Sequence, residues 1–388
     1  MRLNNTELRA VVTVAIIMAS RLLGIFLILP VFSVYAEKYP GSSIAMAGVA
    51  FGIYALAQSV LQIPFGWASD KLGRKPVLLA GLLIFTVGSV LCGTADTIGE
   101  LILARILQGM GAVSSVAIAA LGDLTRPQVR AQSFTIVGIS IGVAFLVAII
   151  AGPLLAAHIG FSSVFYVLAG LGGVTFLMTL IFFPKIEGGE PVGERHGFRK
   201  LLGMPEMRRL LLATVVVSLS VNLFVFVYPL TWTSLGMSDA SLWKVYLISL
   251  IPAALFVFPA VRRAEKKGHI GTVVKVGWAL IALAFLTYPF LAKAALLFYG
   301  AGMLFFAGHT IMQSILPAFV TQRVGQANRG AATGLYNLLS FAGSAAGGMM
   351  AGYLYHIHPS APLAVGFLVI IVWGLAGLPA APEITRPE

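Results

Sequence analysis

Two arginines and one histidine, Arg21, Arg105 and His309, stand inside long apolar runs of this chain. A guanidinium in an apolar run is costly, so it faces a partner or a wet cavity, or its long stem carries it to the nearest water. Arg105 lies a turn or two inside its run and could take either course. Arg21 sits near the middle of its run, too deep to escape easily, and is expected to line a polar cavity. His309 is the one mid-run group whose unperturbed pKa, about 6.5, lies near neutrality. Either it or Asp123, at the cytoplasmic end of an earlier run, is expected to sense protons; otherwise His309 is a neutral, hydrogen-bonded histidine. The chain has 14 acidic residues, and none falls at the middle of a run. A buried carboxylate that could carry a proton across a membrane is therefore missing. Two buried cations without one point to an anionic or electron-rich small molecule.

Further polar residues recur inside apolar runs. Tyr54, Gln58 and Gln62 follow in steps of four and share one helical face. Asn222, Tyr228, Gln313, Tyr336 and Asn337 are spread over later runs. Each alone is as readily a contact between helices as a ligand contact. Together with Arg21 they outline a cavity for a small-molecule substrate.

The elements that must position these residues are membrane spans. The chain has 388 residues, 59% hydrophobic and only 10% charged, where a soluble domain carries about 25% charged residues. The bilayer must act as the solvent. A span takes about 20 apolar residues, and the runs place twelve helices over 10–35, 43–68, 76–95, 99–121, 131–157, 161–183, 208–232, 242–261, 270–291, 294–316, 330–354 and 361–380. The net charge of +12 is not a nucleic-acid footprint, because the basic residues sit in short clusters between apolar runs. On one side lie 20 Lys and Arg; on the other only Lys38, Lys244 and Lys293. That bias predicts both termini in the cytoplasm. The polar stretch 185–207 reads as a cytoplasmic linker between an N-terminal bundle, 1–184, and a C-terminal bundle, 208–388. The single cysteine, Cys92, allows no intrachain disulfide and reads as a small packing residue. The N-terminal apolar run is too long for a cleavable signal. No nucleophile–base pair, metal-ligand spacing or nucleotide-binding loop occurs. An enzyme, a cofactor, a bound metal and ATP-driven transport on this chain are therefore not expected.

The loop Gly66-Trp67-Ala68-Ser69-Asp70-Lys71-Leu72-Gly73-Arg74-Lys75 joins the second and third spans. Gly73 permits a turn conformation closed to residues with a Cβ. Asp70 ends a helix, where the dipole disfavours an anion, so a cation should hold it, and Arg74 is nearest. Asp70-Lys71-Leu72-Gly73 returns 195 residues later as Glu265-Lys266-Lys267-Gly268, again after the second span of its half. This reads as an internal repeat. His269 and Ile270 replace Arg74 and Lys75 there, so the charged joint should be mainly N-terminal.

The loop resembles motif A of the major facilitator superfamily, with Gly66, Asp70, Lys71, Gly73, Arg74 and Lys75 all matching. The resemblance implies an all-α fold of twelve spans in two six-helix bundles, with substrate bound near midplane between the halves. It also implies a network of Asp70, Arg74 and Asp123 that latches the outward-open state. Arg105, Gln108, Gly109 and Gly111 resemble motif B, which is linked to proton coupling. Gly152-Pro153, with Gly138 and Gly142 earlier in the same span, resembles the antiporter motif C in degenerate form, Ala148 standing for its first glycine. Small residues there should allow close helix packing and a bend. The stretches Ile63-Pro64-Phe65-Gly66 and Trp243-Lys244-Val245-Tyr246 and the Gly-rich eleventh span are similar to the YajR-type branch of the drug:proton antiporter-1 family. The soluble C-terminal domain of that branch is expected to be absent, since the chain stops at Glu388. The resemblance implies a monomer in the bacterial inner membrane that exports amphipathic small molecules in exchange for protons. An organic-anion or metabolite carrier without carboxylate proton coupling is the alternative.

Overall fold

The computed structural model describes residues 3–111, 113–184, 197–291, 295–324 and 329–377. Among these residues every regular element is helical. The chain divides into two compact units, Met1–Val192 and Gly193–Glu388.

In the first unit the helices are α1 (Asn5–Phe26), α2 (Phe32–Ala36), α3 (Ile44–Leu72), α4 (Arg74–Thr94), α5 (Ile98–Met110), α6 (Ser114–Leu124), α7 (Pro127–His158) and α8 (Phe161–Phe182). Their starts follow from side-chain caps. Asn4 and Glu7 form a reciprocal capping box on α1. Ser43 and Thr97 accept hydrogen bonds from Met46 N and Glu100 N at the starts of α3 and α5. Pro127 opens α7 at a position where its missing N–H costs nothing.

In the second unit the helices are α9 (Gly197–Gly203), α10 (Pro205–Ser234), α11 (Leu242–Lys267), α12 (Ile270–Leu291), α13 (Ala295–Gln322), α14 (Arg329–Ile357) and α15 (Ala361–Gly377). Among the described residues ten helical stretches are long and apolar enough to cross a membrane. The glycine-rich α14, 29 residues long, and the shorter apolar α15, 17 residues long, are further helices of the second unit. Of the expected linker, 185–196 lie outside the described residues, and the remainder forms α9 and the first turn of α10.

Two expected spans are each broken in two. The first breaks between α1 and α2, around Pro30, whose ring cannot continue a helix. The fourth breaks between α5 and α6, where Gly111 passes so close to α4 that a Cβ would lie 2.5 Å from the Gly81 carbonyl oxygen.

The two units repeat one packing scheme. α1 packs on α7, α8 and α6, as α10 packs on α14, α15 and α13. α4 packs on α8 and α5, as α12 packs on α15 and α13; α3 packs on α5, as α11 packs on α13. The repeated glycines also match. Gly73 ends α3 at φ 89° and Gly268 ends α11 at φ 73°, both in the region that favours glycine. Between spans there is little hydrophobic driving force, because lipid is as apolar as leucine; small residues that let backbones touch take its place.

Candidate functional site

The loop after α3 places three charges on unfavourable helix ends. Asp70 lies in the last turn of α3, Asp123 in the last turn of α6, and Arg74 opens α4. Helix dipoles disfavour anions at C-termini and cations at N-termini. Mutual pairing offsets this: Arg74 Nη1 donates to Asp70 Oδ1, and Arg74 Nε donates to Asp123 Oδ2 at 2.9 Å. Ser69, which motif reading did not single out, completes the joint. Its Oγ accepts from Arg74 Nη1 at 2.6 Å and donates to the Gly66 carbonyl at 2.7 Å. Lys75 Nζ donates to the Phe183 carbonyl at the end of α8 (2.8 Å), a helix terminus that favours a cation. Lys71 lies over the Trp67 ring, 4.1 Å from its centroid, outside the joint.

A second ion pair ties this end of the unit together, and sequence reasoning missed it. Arg126 grips Glu7 with Nε and Nη2 at 2.7 and 2.9 Å. The second unit carries an equivalent pair, Arg323 Nε to Glu206 Oε2 at 2.8 Å. In each unit a first-turn glutamate of the first long helix meets an arginine just after the fourth span. The available signal was that shared position in the repeat.

Inside the first unit, Arg105 is 3% exposed and held by the protein itself. Its Nη1 donates to Gln108 Oε1 at 2.7 Å and its Nε to the Ala50 carbonyl at 3.4 Å. The guanidinium also lies 4.4 Å from the Tyr54 ring centroid. Gln108 Nε2 donates to Ser89 Oγ at 2.9 Å, and Ser89 donates to the Phe85 carbonyl at 2.7 Å. Arg105 therefore does not reach outward to water. Gly109 gives this region its closeness: a Cβ there would strike the Tyr54 carbonyl oxygen.

Arg21 is equally buried, at 2%, yet none of its three side-chain nitrogens has a hydrogen-bond partner among the described residues. Its only charge-related contact among them is the face of Phe85, 4.6 Å from the guanidinium carbon. Tyr54 Oη, Gln58 Oε1 and both polar atoms of Gln62 are likewise buried and without partners among the described residues.

The antiporter-motif glycines separate. A Cβ on Gly152 would collide with the Leu27 backbone, whereas nothing lies within 4 Å of one on Gly138 or Gly142. The face of α7 that meets its unit runs through Ser140, Ala144, Ala148 and Gly152, in steps of four. Residues 138 and 142 are each two positions away from that row, roughly 200° around the helix. Pro153 follows Gly152 inside α7.

In the second unit Tyr228 belongs to an aromatic core rather than to an open polar surface. It is fully buried, stacks on Phe298 at 4.4 Å and shares a hydrogen bond with Ser249 Oγ at 2.8 Å. α10 turns this face toward α11 and α13, which carry those partners. Asn222 Nδ2 donates to Ser218 O within its own helix, at 2.8 Å. His309 lies parallel to Phe305, centroids 6.1 Å apart, and its Nδ1 is buried without a partner among the described residues. Gln313 is exposed, Tyr336 buried and Asn337 half-buried.

The profile of the Major Facilitator Superfamily matches residues 14–348. The chain is 32% identical over 355 residues to the inner membrane transport protein YajR of Escherichia coli strain K12, covering 90% of this chain and 78% of that protein. It is 26% identical over 368 residues to the class E tetracycline resistance protein of Escherichia coli, covering 89% and 88% of the two. A solved structure of a mutant nucleoside transporter NupG superposes with a TM-score of 0.77 at 14% identity, over 95% of this chain and 98% of that one. That likeness is one of fold.

Proposed function

The chain belongs to the major facilitator superfamily, a family of transporters and not enzymes, and we propose that it is a proton-coupled exporter of small amphipathic molecules. It works as a monomer in the bacterial inner membrane, with both termini cytoplasmic, by alternating access. The observation that carries this reading is Arg74 held between Asp70 and Asp123. All three charges sit on helix ends that disfavour them, so each depends on the others. A joint of this kind is stable closed and costly half-open, which suits a latch between two states. The tetracycline resistance relative supports export of a small molecule. With no carboxylate in mid-span, coupling falls to the Arg105–Gln108 pair and to His309. Gly152 and Pro153 shape the helix that bends as states exchange.

The test is transport in proteoliposomes under an imposed pH gradient, with tetracycline, cationic dyes and organic anions as cargo. Gradient-driven counterflow is expected. Transport that ignores the gradient would sink the proton-coupled reading. His309→Ala with full gradient-driven transport would remove that residue from coupling. A second reading, an organic-anion carrier without proton coupling, is favoured by one observation, the guanidinium of Arg21 without a partner among the described residues.

A further inference from the structure

We infer that Arg21 is the subsite for an oxyanion on the transported molecule, so that the amphipathic cargo carries a carboxylate, phosphate or similar group. The inference rests on the reading of the chain as a transporter of small amphipathic molecules, whichever way the transport is coupled.

A guanidinium cannot shed its proton in a protein, and it brings five N–H donors. A buried charge without a partner is strongly unfavourable. Arg21 nonetheless has Nε, Nη1 and Nη2 all buried and unpartnered among the described residues. The face of Phe85 offers it a quadrupole and no acceptor.

Among its described residues the first unit holds no counter-charge to spare. Glu7 is taken by Arg126, and Asp70 and Asp123 by Arg74. Glu37, Asp96 and Glu100 are exposed, outside α1. Arg21 lies about 21 Å of helical rise from Glu7 on α1, beyond the reach of either side chain.

Arg105 is the internal control. In the same unit and equally buried, it has an amide acceptor at 2.7 Å and a carbonyl at 3.4 Å. The fold therefore gives Arg105 acceptors of its own and leaves Arg21 without one among the described residues. Two arginines with no carboxylate between them make this interior electropositive, a setting that repels cations and favours anions. The unpartnered Gln62 and Tyr54 of α3 add neutral donors to the same unit. The guanidinium is closed off in this conformation, so an anion meets it in another one, as alternating access requires.

The experiment uses the full chain in nanodiscs, reading thermal midpoints with and without octanoate, octyl phosphate and octyltrimethylammonium. Wild type is expected to rise with one or both anions and not with the cation; comparing the two anions tells carboxylate from phosphate. Arg21→Met should abolish that rise, and Arg21→Lys should keep part of it with at least tenfold weaker apparent affinity. Without ligand, Arg21→Met should melt no lower than wild type, since it removes an unpaired buried charge. The inference is overturned if no anion shifts wild type, if Arg21→Met shifts as wild type does, or if ligand-free Arg21→Met is strongly destabilised. Binding is read without any pH gradient, so failure here is distinct from failure of proton coupling.

Discussion

Replacing Gln108 by Leu removes the amide that holds Arg105 while nearly keeping the side-chain volume. The change deletes the 2.7 Å acceptor for Arg105 Nη1 and the 2.9 Å donor to Ser89 Oγ. Arg105 is left with one long contact to the Ala50 carbonyl and two aromatic faces. Hydrogen bonds to charged groups contribute about 1.5–3 kcal/mol in soluble proteins. Those between membrane helices average about 0.6 kcal/mol because the freed group finds another partner. Arg105 is charged and loses its shortest hydrogen bond, so a loss of ~2 kcal/mol is the better expectation, or about a 30-fold rise in the local opening equilibrium. Cys92 reports on it directly: it is the only cysteine, fully buried, and its Sγ lies 3.9 Å from Gln108 Oε1. If opening is fast relative to labelling, maleimide alkylation scales with the open population and should rise about 30-fold in Gln108→Leu. Gln108→Glu keeps the acceptor and adds a countercharge, so its labelling should be no faster than wild type. Equal rates in Gln108→Leu and wild type, or equally fast labelling of both variants, would refute the reasoning.

Three more outcomes follow from the geometry. Asp123→Asn weakens one arm of the joint at Arg74; with Asp123 half-exposed the loss is about 0.5–1 kcal/mol, read as a several-fold change in transport rate with substrate affinity unchanged. Gly152→Val forces side-chain atoms into the Leu27 backbone and should cost about 1–3 kcal/mol, whereas Gly138→Ala and Gly142→Ala should leave detergent stability within about 0.5 kcal/mol of wild type; equal damage at all three would contradict the assignment of the α7 face. Glu7→Gln should lower the thermal midpoint more than Glu206→Gln does, because Glu7 is buried and grips Arg126 with both oxygens while Glu206 is largely exposed; the reverse order would remove the first pair as the main tie.

Residues whose meaning lies in their neighbours along the chain are legible from the sequence alone. Asp70, Gly73 and Arg74 fall within about one turn of one another, so helix-end electrostatics and the positive-φ requirement at Gly73 are already written in their order. Asp123 needs the family pattern as well, since its partner is 49 residues away. Apolar runs set the spans because crossing lipid is a property of each segment taken alone. The breaks near Pro30 and Gly111 are less visible, because an interrupted span keeps its hydropathy.

By itself, then, the sequence determined a polytopic membrane protein in two repeated halves, a charged joint after the second span, and an interior with arginines and no carboxylate. The acceptor of Arg105 is local, Gln108 one turn along the same helix. Only the tertiary structure decided that Arg21 has no hydrogen-bond partner among the described residues and lies against the face of Phe85. It likewise decided that Gly152 touches a neighbour while Gly138 and Gly142 do not, that Tyr228 is core, and that Glu7 meets Arg126. These depend on how each helix is rotated against others distant in sequence, and rotation is set by the packing of whole faces, which no single segment specifies.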